Sequence, residues 1–263
     1  MADAASTTVS LLQFDTVGRV LTIGLNRPAK RNALNDGIIL EIERAFATLP
    51  EAIGAVVIHG IGDHFSAGLD LSELSERDAT AGLMHSRMWH RVFDAIQHAR
   101  VPVIAALQGA VIGGGLELAC ACHIRVADPT AYYALPEGQR GIFVGGGGSV
   151  RLPRLVGVAR MADMMLTGRV YTAAEGVPLG FSQYLTEQGG ALAKAIALAG
   201  RVAENAPLTN FAVMQALPLI AEANPQTGLM LEALMASVAQ SDQEAKTRIR
   251  AFLDRKAGKV QPG

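Results

Sequence analysis

Residues 113–119 read Gly-Gly-Gly-Leu-Glu-Leu-Ala, and this stretch decides the fold prediction because it joins two apolar segments of different character. The segment before it, residues 103–107, is a continuous apolar run that predicts a buried strand, and the apolar residues after it predict a helix. Glycines expose backbone N–H groups, and a helix N-terminus adds the positive end of its dipole. The turn can hold an anion or a developing oxyanion, although a tight strand-to-helix turn remains an alternative.

Two carboxylates stand in apolar surroundings beside glycine-rich turns. Glu117 lies one turn into the predicted helix, and Glu137 lies in Leu-Pro-Glu-Gly, shortly before the four glycines 145–148. Like-charged neighbours push one pKa upward, which gives one acid and one base for adding water or moving a proton beside a carbonyl. Taken singly, Glu117 could serve the helix dipole and Glu137 could lie on a surface loop.

A third stretch, residues 65–71 (Phe-Ser-Ala-Gly-Leu-Asp-Leu), also follows a predicted strand. Its glycine lets the backbone turn, so the loop could present a second N–H donor. A glycine-containing loop is common, and this stretch alone indicates little.

Strand and helix patterns alternate along the first part of the chain. Apolar runs at 20–25, 55–58 and 103–107 predict strands, a helix follows a cap at Asn35, and apolar spacing over 84–96 predicts another helix. Such alternation indicates an α/β fold with a sheet buried on both faces. Beyond about Val158 the segments 158–166, 189–204, 208–221 and 228–256 read as helical, with one strand candidate at 182–185. We therefore expect a core domain over residues 1–200 and a C-terminal helical region over 201–263.

Composition narrows the function classes. The chain has 263 residues, 18% charged residues, 28 glycines and a formal net charge of −1, which excludes intrinsic disorder and disfavours nucleic-acid or anionic-lipid partners. No apolar run approaches the length of a membrane helix, and the first residues do not resemble a secretory signal. Cys120 and Cys122 suit a reducing compartment, and the histidines show no metal-ligand spacing. We expect a cytoplasmic protein without a metal site or a membrane partner.

In combination, these motifs resemble the crotonase (enoyl-CoA hydratase/isomerase) superfamily, over about residues 11–257. The similar segments include Leu-Asn-Arg-Pro-Ala-Lys-Arg-Asn-Ala-Leu at 25–34, the loop 65–71, the strand and glycine turn of 103–119, Arg-Leu-Pro-Arg-Leu-Val-Gly at 151–157, Leu-Thr-Gly-Arg at 166–169 and a closing helix at 251–256. The resemblance implies a crotonase-like core of repeated ββα units wound as a spiral. It also implies that the C-terminal helices mediate assembly into a homotrimer or a dimer of trimers.

The resemblance further implies an acyl-CoA thioester as substrate, in fatty acid metabolism, with no separate cofactor because coenzyme A is part of the substrate. The amides of Leu69 and Gly114 would form an oxyanion hole, while Glu117 would activate water and Glu137 would protonate Cα. Hydratases of the family carry two glutamates twenty residues apart, as these two are. Residues expected to bind coenzyme A or substrate are Lys30, Arg31, Ser66, Ala67, Gly68, Asp70 and Leu71, with the Gly145 N–H steadying the water.

Hydration of a 2-enoyl-CoA to a 3-hydroxyacyl-CoA is the expected reaction, and three alternatives stay open. They are methylthioacryloyl-CoA hydration with CoA-thioester hydrolysis, enoyl-CoA isomerisation, and a non-catalytic binding or RNA-binding protein on the same scaffold. His85, Trp89 and His90 belong either to a simply packed helix or to an unusual acyl site. Ser72, the pair Cys122-His123 and Val144 depart from the family's common residues, which bears on acyl selectivity and CoA affinity.

Overall fold

The computed structural model describes residues 10–73 and 78–254, and all structural statements below refer to this part of the chain. Its strands are β1 (Leu12–Val17), β2 (Val20–Leu25), β3 (Ala55–Gly60), β4 (Val103–Leu107), β5 (Ala110–Ile112), β6 (Ile124–Ala127), β7 (Tyr132–Ala134), β8 (Tyr171–Thr172) and β9 (Tyr184–Leu185). Its α-helices are α1 (Asp36–Ala47), α2 (Ala79–Gln97), α3 (Gly114–Ala121), α4 (Gly148–Val156), α5 (Val158–Thr167), α6 (Ala173–Leu179), α7 (Ala191–Ala203), α8 (Pro207–Phe211), α9 (Leu217–Glu222), α10 (Pro225–Ser241) and α11 (Gln243–Leu253).

The main sheet has the strand order β1-β2-β3-β4-β6-β9. Only the β1–β2 pair is antiparallel among these described strands, and the others run parallel. A smaller sheet has the order β5-β7-β8, and an isolated bridge between Ser66 and Val111 extends it. Parallel pairing requires crossover connections, and these supply the helices that cover the sheet.

Burial on both faces explains the unbroken apolar runs of the central strands. Alternate residues point to opposite faces of a sheet, so Val57 and Ile104 pack under α7 while Val56 and Ile58 enter the larger core. Small side chains of α7, such as Ala195 and Ala199, let that helix lie close against the strands. The larger core holds the apolar faces of α1, α2 and α3.

The predicted repeat of ββα units is confirmed. Three successive units each place one strand in the main sheet, a second segment in the small sheet, and then a helix: β3 with the Ser66 bridge and α2, β4 with β5 and α3, and β6 with β7 and α4. The loop 65–71 and the glycine turn at Gly113 are neighbours, since the Ser66 N–H donates to the Ala110 carbonyl and the Ser66 carbonyl accepts from the Ile112 N–H.

Of two predictions about individual helices, the one for the start of α1 is confirmed, whereas the helical segment predicted near the C-terminus is divided in two. Asn35 caps α1, because its Oδ1 accepts from the Ile38 N–H at 3.0 Å, as the sequence predicts. The helical segment predicted over 228–256 is instead two helices, since Asp242 ends α10 and caps α11 through its side chain. The break follows from the Asp242 carboxylate, which accepts from the first amides of a new helix. Residues 255 and 256 of the proposed closing helix lie outside the described residues.

The described residues fall into two compact units, one up to Ala203 and one from Glu204 onward. The second unit contains α8 to α11, with a π-helical segment, Ala212–Ala216, between α8 and α9. Within the described residues, no helix combines the length and apolar character that spanning a membrane requires.

Candidate functional site

The glycine turn before α3 has a backbone that a side chain would disturb. Gly113 adopts φ +52°, and its N–H donates to the Ala134 carbonyl at 3.0 Å. A Cβ at Gly113 would stand 2.6 Å from Glu137 Oε1. Glycine therefore allows the Glu137 carboxyl to lie directly over the start of the helix.

The loop 65–71 meets the same turn from the other side. Gly68 has φ +86°, and a Cβ there would stand 2.5 Å from the Ile112 carbonyl and 3.1 Å from the Gly114 nitrogen. A Cβ on Gly114 would in turn stand 3.4 Å from the Leu69 nitrogen. The two backbone segments thus approach each other at the distance that only glycine permits.

Two amide donors meet at this approach. The bridge to Leu34 uses the Gly68 carbonyl and the Asp70 N–H, so the intervening Leu69 N–H faces away from Leu34. Among the residues that the structure describes, neither the Leu69 nor the Gly114 N–H donates to a protein acceptor. The Gly114 N–H is also at the first position of α3, where the helix dipole favours negative charge. Such a pair can polarise a carbonyl and stabilise an oxyanion.

Glu117 is buried one turn into α3 and is held by the second glycine run. Its Oε1 accepts from the Gly146 N–H at 2.8 Å and from the Gly148 N–H at 2.7 Å, and only 4% of the residue is exposed. Burial raises the pKa of Glu117, while these two amides, Arg151 and the Gly145 amide favour the charged form. The carboxyl is therefore fixed in one orientation by donors that support its ionised state.

Glu137 has a different environment. It begins a 3₁₀ turn, Gly138–Arg140, and is 7% exposed. Its Oε2 is buried without a hydrogen-bond partner within the described part of the chain. Burial raises the pKa of Glu137, and the negative charge of Glu117 raises it further. Both pKa values are thus raised, but the two carboxyls differ in their contacts: backbone amides hold Glu117, whereas Glu137 Oε2 has no partner in the described residues.

The glycine run 145–148 is held by Arg151 of α4 and by residues of α2, none of which was predicted as a site residue. Arg151 donates to the Gly146 carbonyl at 3.1 Å and to Gln97 at 2.6 Å, and it forms an ion pair with Asp94. Ser86 donates to the Gly145 carbonyl at 3.0 Å. These contacts fix the glycine run that holds Glu117. Arg151 stood within a motif shared with the family, whereas nothing in the sequence signalled Ser86.

A surface cavity of about 410 Å³ gathers most of the predicted coenzyme-binding residues. The predicted residues that line it are Lys30, Arg31, Ala67, Leu69, Asp70 and Leu71. Arg140 also lines it and was not predicted, although it lies three residues after Glu137. The three cations Lys30, Arg31 and Arg140 make this cavity suitable for an anionic ligand.

The charge of Lys30 is shared with an internal partner. Its Nζ contacts Asp70 Oδ2 at 2.9 Å, and Arg27 contacts the same oxygen at 2.9 Å. These cations and the Ser72 hydroxyl lower the pKa of Asp70 well below its usual range, with the Ser72 hydrogen bond the largest contribution. Ser72 thus stabilises the ionised carboxylate, and Asp70 orders the cavity wall.

Three of the predicted binding residues have structural contacts of their own. The Ser66 hydroxyl is fully buried, donates to the Asn32 carbonyl at 2.8 Å and accepts from the Gly68 N–H at 3.1 Å. The Ala67 N–H donates to the Arg31 carbonyl at 2.9 Å. Gly68 supplies the turn described above. Ser66 and Gly68 therefore shape the loop from within, while Ala67 reaches the cavity.

The aromatic residues of α2 border the glycine turn. The rings of His85 and Trp89 are 5.8 Å apart, Trp89 and Phe93 meet edge to face at 5.6 Å, and His85 Nε2 lies 2.7 Å from Asp36 Oδ1. His90 lies near Gly147, where an added Cβ would come within 3.8 Å of its ring.

Across the described ranges, no cluster of three His, Cys, Asp or Glu side chains is arranged to hold a metal ion.

The ββα repeat and the paired amides beside two buried carboxyls define an α/β protein of the crotonase type. The chain belongs to the enoyl-CoA hydratase/isomerase family, whose model matches residues 15–261. The predicted membership and the crotonase-like fold are confirmed.

Several named relatives are similar to the chain along most of its length. It is 36% identical to the 2,3-dehydroadipyl-CoA hydratase of Escherichia coli (strain K12), covering 90% of this chain and 93% of that protein. It is 30% identical to a short-chain-enoyl-CoA hydratase of Clostridium acetobutylicum, covering 91% and 93%. A crystal structure from Rhodopseudomonas palustris CGA009, provisionally described as an enoyl-CoA hydratase, is 78% identical with a TM-score of 0.92, covering 94% and 95%. These names support hydratase chemistry of the crotonase type.

Proposed function

We propose that this protein hydrates a 2-enoyl-CoA thioester to a 3-hydroxyacyl-CoA. The observation that carries the proposal is the contrast between its two buried carboxyls beside one pair of amides. Glu117 receives two backbone hydrogen bonds, whereas Glu137 Oε2 has no partner among the described residues. Hydration needs a base for water and an acid for carbon, and this contrast supplies both.

Binding places the thioester carbonyl oxygen between the N–H groups of Leu69 and Gly114. The coenzyme A portion lies in the cavity of about 410 Å³, where Lys30, Arg31 and Arg140 face its phosphates. The amides withdraw electrons from the conjugated system and make Cβ electrophilic. Because the donors belong to the backbone, they are fixed before the substrate arrives.

Glu117 then acts on water. Its carboxylate accepts a proton from a water molecule held near the Gly145 N–H as the water oxygen bonds to Cβ. The electrons of the carbon–carbon double bond move toward the thioester carbonyl and form an enolate. The Leu69 and Gly114 amides stabilise the negative oxygen, and one such donor is worth about 3–4 kcal/mol of barrier.

Glu137 completes the addition by donating its proton to Cα. The enolate electrons form the new C–H bond and the thioester carbonyl is restored. Glu117 is then protonated and Glu137 ionised, so one proton passes back between them or through solvent before the next turnover. The sum is addition of one water, with the CoA thioester intact.

A spectrophotometric assay with matched variants tests this proposal. Wild type should remove the ultraviolet absorbance of the conjugated enoyl thioester, and Glu117→Gln and Glu137→Gln should each lower turnover by about 10²–10⁴. Glu187→Gln is the control, because Glu187 is an exposed residue away from the turns described. Unchanged absorbance over short, branched and thioether enoyl-CoAs would contradict the proposal. Release of free thiol, read with a thiol reagent, would indicate thioester hydrolysis instead.

The relatives' names favour the reaction class without fixing the acyl group. One names a dehydroadipyl thioester and another a short-chain thioester.

Cytoplasmic location and assembly into a homotrimer or a dimer of trimers stay predictions. Apolar side chains exposed on α10, such as Leu229, Met230 and Leu234, favour self-association, and light scattering on the purified protein measures it.

A further inference from the structure

Trp89 borders the proposed thioester site and is the only tryptophan in the chain. It is 4% exposed and lies on the face of α2 that carries His85 and Phe93, each one turn away. A Cβ built on Gly114 would stand 2.9 Å from Trp89 Cζ3 and 3.4 Å from its Cη2. The benzene edge of the indole therefore lies against the residue whose amide polarises the thioester.

The opposite edge of the indole carries a donor without an acceptor. Trp89 Nε1 and Glu137 Oε2 are the buried side-chain nitrogen or oxygen atoms that have no hydrogen-bond partner in the described residues. Buried polar groups are paired in the large majority of cases, and a phenylalanine would fill this place without a lone N–H. Both atoms belong to side chains against the consecutive glycines Gly113 and Gly114. In the proposed reaction Glu137 is the acid, which leaves the Trp89 N–H as the second buried group without a partner beside this turn.

The chemistry of the indole limits what it can bind. An indole N–H is a donor only, so its partner must be a hydrogen-bond acceptor. A plain alkyl chain offers none. The ionised Glu117 lies on the helix that follows this turn, and its negative charge disfavours an anionic acceptor. A neutral ether oxygen, hydroxyl or thioether sulfur satisfies both conditions.

We propose that Trp89 is a specificity-determining residue whose indole N–H binds a neutral acceptor atom on the acyl chain of the substrate. The inference rests on the proposed hydration, since it places the acyl group beside the oxyanion pair. The enzyme then selects enoyl-CoA thioesters with a heteroatom in the acyl chain over hydrocarbon chains of equal length. His85 holds the indole from one side and is itself fixed by Asp36 at 2.7 Å.

Two matched substrates test this inference: 2-hexenoyl-CoA and its analogue with an ether oxygen in place of the Cδ methylene. Wild type should favour the ether in kcat/KM by about 5- to 100-fold, the range expected for satisfying one buried donor. In Trp89→Phe the two values should become equal within about threefold, because the ether substrate loses more than the hydrocarbon. Equal values in wild type would overturn the inference, as would a variant that loses activity on both substrates equally.

A second replacement keeps the test valid if the phenylalanine variant folds poorly. Benzothienylalanine at position 89 replaces the indole N–H with sulfur and keeps the shape of the ring. Because Trp89 is the single tryptophan, biosynthetic incorporation changes this position alone. Loss of the ether preference supports the inference, and a retained preference refutes it. Failure of wild type to hydrate either substrate would instead refute the proposed function.

Discussion

Replacing Glu137 with glutamine should separate activity from stability. The substitution keeps the shape of the side chain but removes its acidic proton. Turnover should fall by about 10²–10⁴, which corresponds to about 3–5 kcal/mol of activation free energy. Glu137 begins its 3₁₀ turn without a side-chain capping bond, so the substitution removes no helix cap.

At neutral pH the same substitution should raise the free energy of unfolding, although it lowers turnover. Burial and the charge of Glu117 raise the pKa of Glu137 above its reference value of 4.5. The folded protein therefore keeps this proton at pH values where the unfolded chain has lost it, and stability from this group declines as pH rises through the folded-state pKa. The neutral glutamine avoids that loss, so the variant should be more stable than wild type above this pH.

Thermal unfolding of both proteins from pH 4.5 to pH 8 measures the effect. Each unit of pKa elevation corresponds to about 1.4 kcal/mol, and 1 kcal/mol shifts Tm by about 2–4 °C in a domain of this size. The difference in Tm should be small near pH 4.5 and should grow toward pH 8, while Glu187→Gln follows wild type throughout. A glutamine variant that keeps wild-type turnover within about threefold, or that is less stable than wild type at pH 8, would refute the reasoning.

Three further predictions concern the backbone, the cavity and the pH dependence. Gly68→Ala should lower turnover by about 10²–10³, because at φ +86° the new Cβ would stand 2.5 Å from the Ile112 carbonyl oxygen and displace the Leu69 amide. Circular dichroism verifies that the variant folds, and normal turnover in a folded variant would contradict the role of the Leu69 amide. Arg140→Gln should raise KM for the CoA thioester with little change in kcat. Added salt should diminish the difference in KM between the variant and wild type. An unchanged KM at low salt would exclude Arg140 from substrate binding. A plot of kcat/KM against pH should be bell-shaped, since activity requires Glu117 ionised and Glu137 protonated. Arg151→Met should move its acid limb to higher pH, because Arg151 favours the ionised form of Glu117.

The sequence predicted the layout of the core because its physical signals are local. Continuous apolar runs identified β3 and β4 as strands buried on both faces, and the Asn35 cap located the start of α1. The glycine triplet located the N-terminus of α3. These features depend on neighbouring residues, so a single sequence reveals them.

Other features depend on contacts between distant parts of the chain. Arg140 lines the cavity with Lys30 and Arg31, more than a hundred residues away in sequence. The hydrogen bond from Ser86 to the Gly145 carbonyl joins residues 59 positions apart. Neither relation leaves a periodicity or a turn signal, and only the folded chain shows them.

The predicted site residues divide by their position in the structure. Leu69, Gly114 and Glu137 meet at one turn, and Glu117 lies on the helix that follows it. Ser66, whose backbone is predicted to meet the coenzyme, has a fully buried hydroxyl that donates to the Asn32 carbonyl. Sequence similarity alone does not distinguish the side chains that shape this loop from those that reach the cavity.

Hydration in water labelled with heavy oxygen tests the central claim most directly. Mass analysis of the product locates the oxygen that the enzyme adds. Paired amides, a base and an acid predict one labelled oxygen, at the Cβ hydroxyl of an intact CoA thioester. Label in a free carboxylate with release of coenzyme A, or an unlabelled product, would contradict the account.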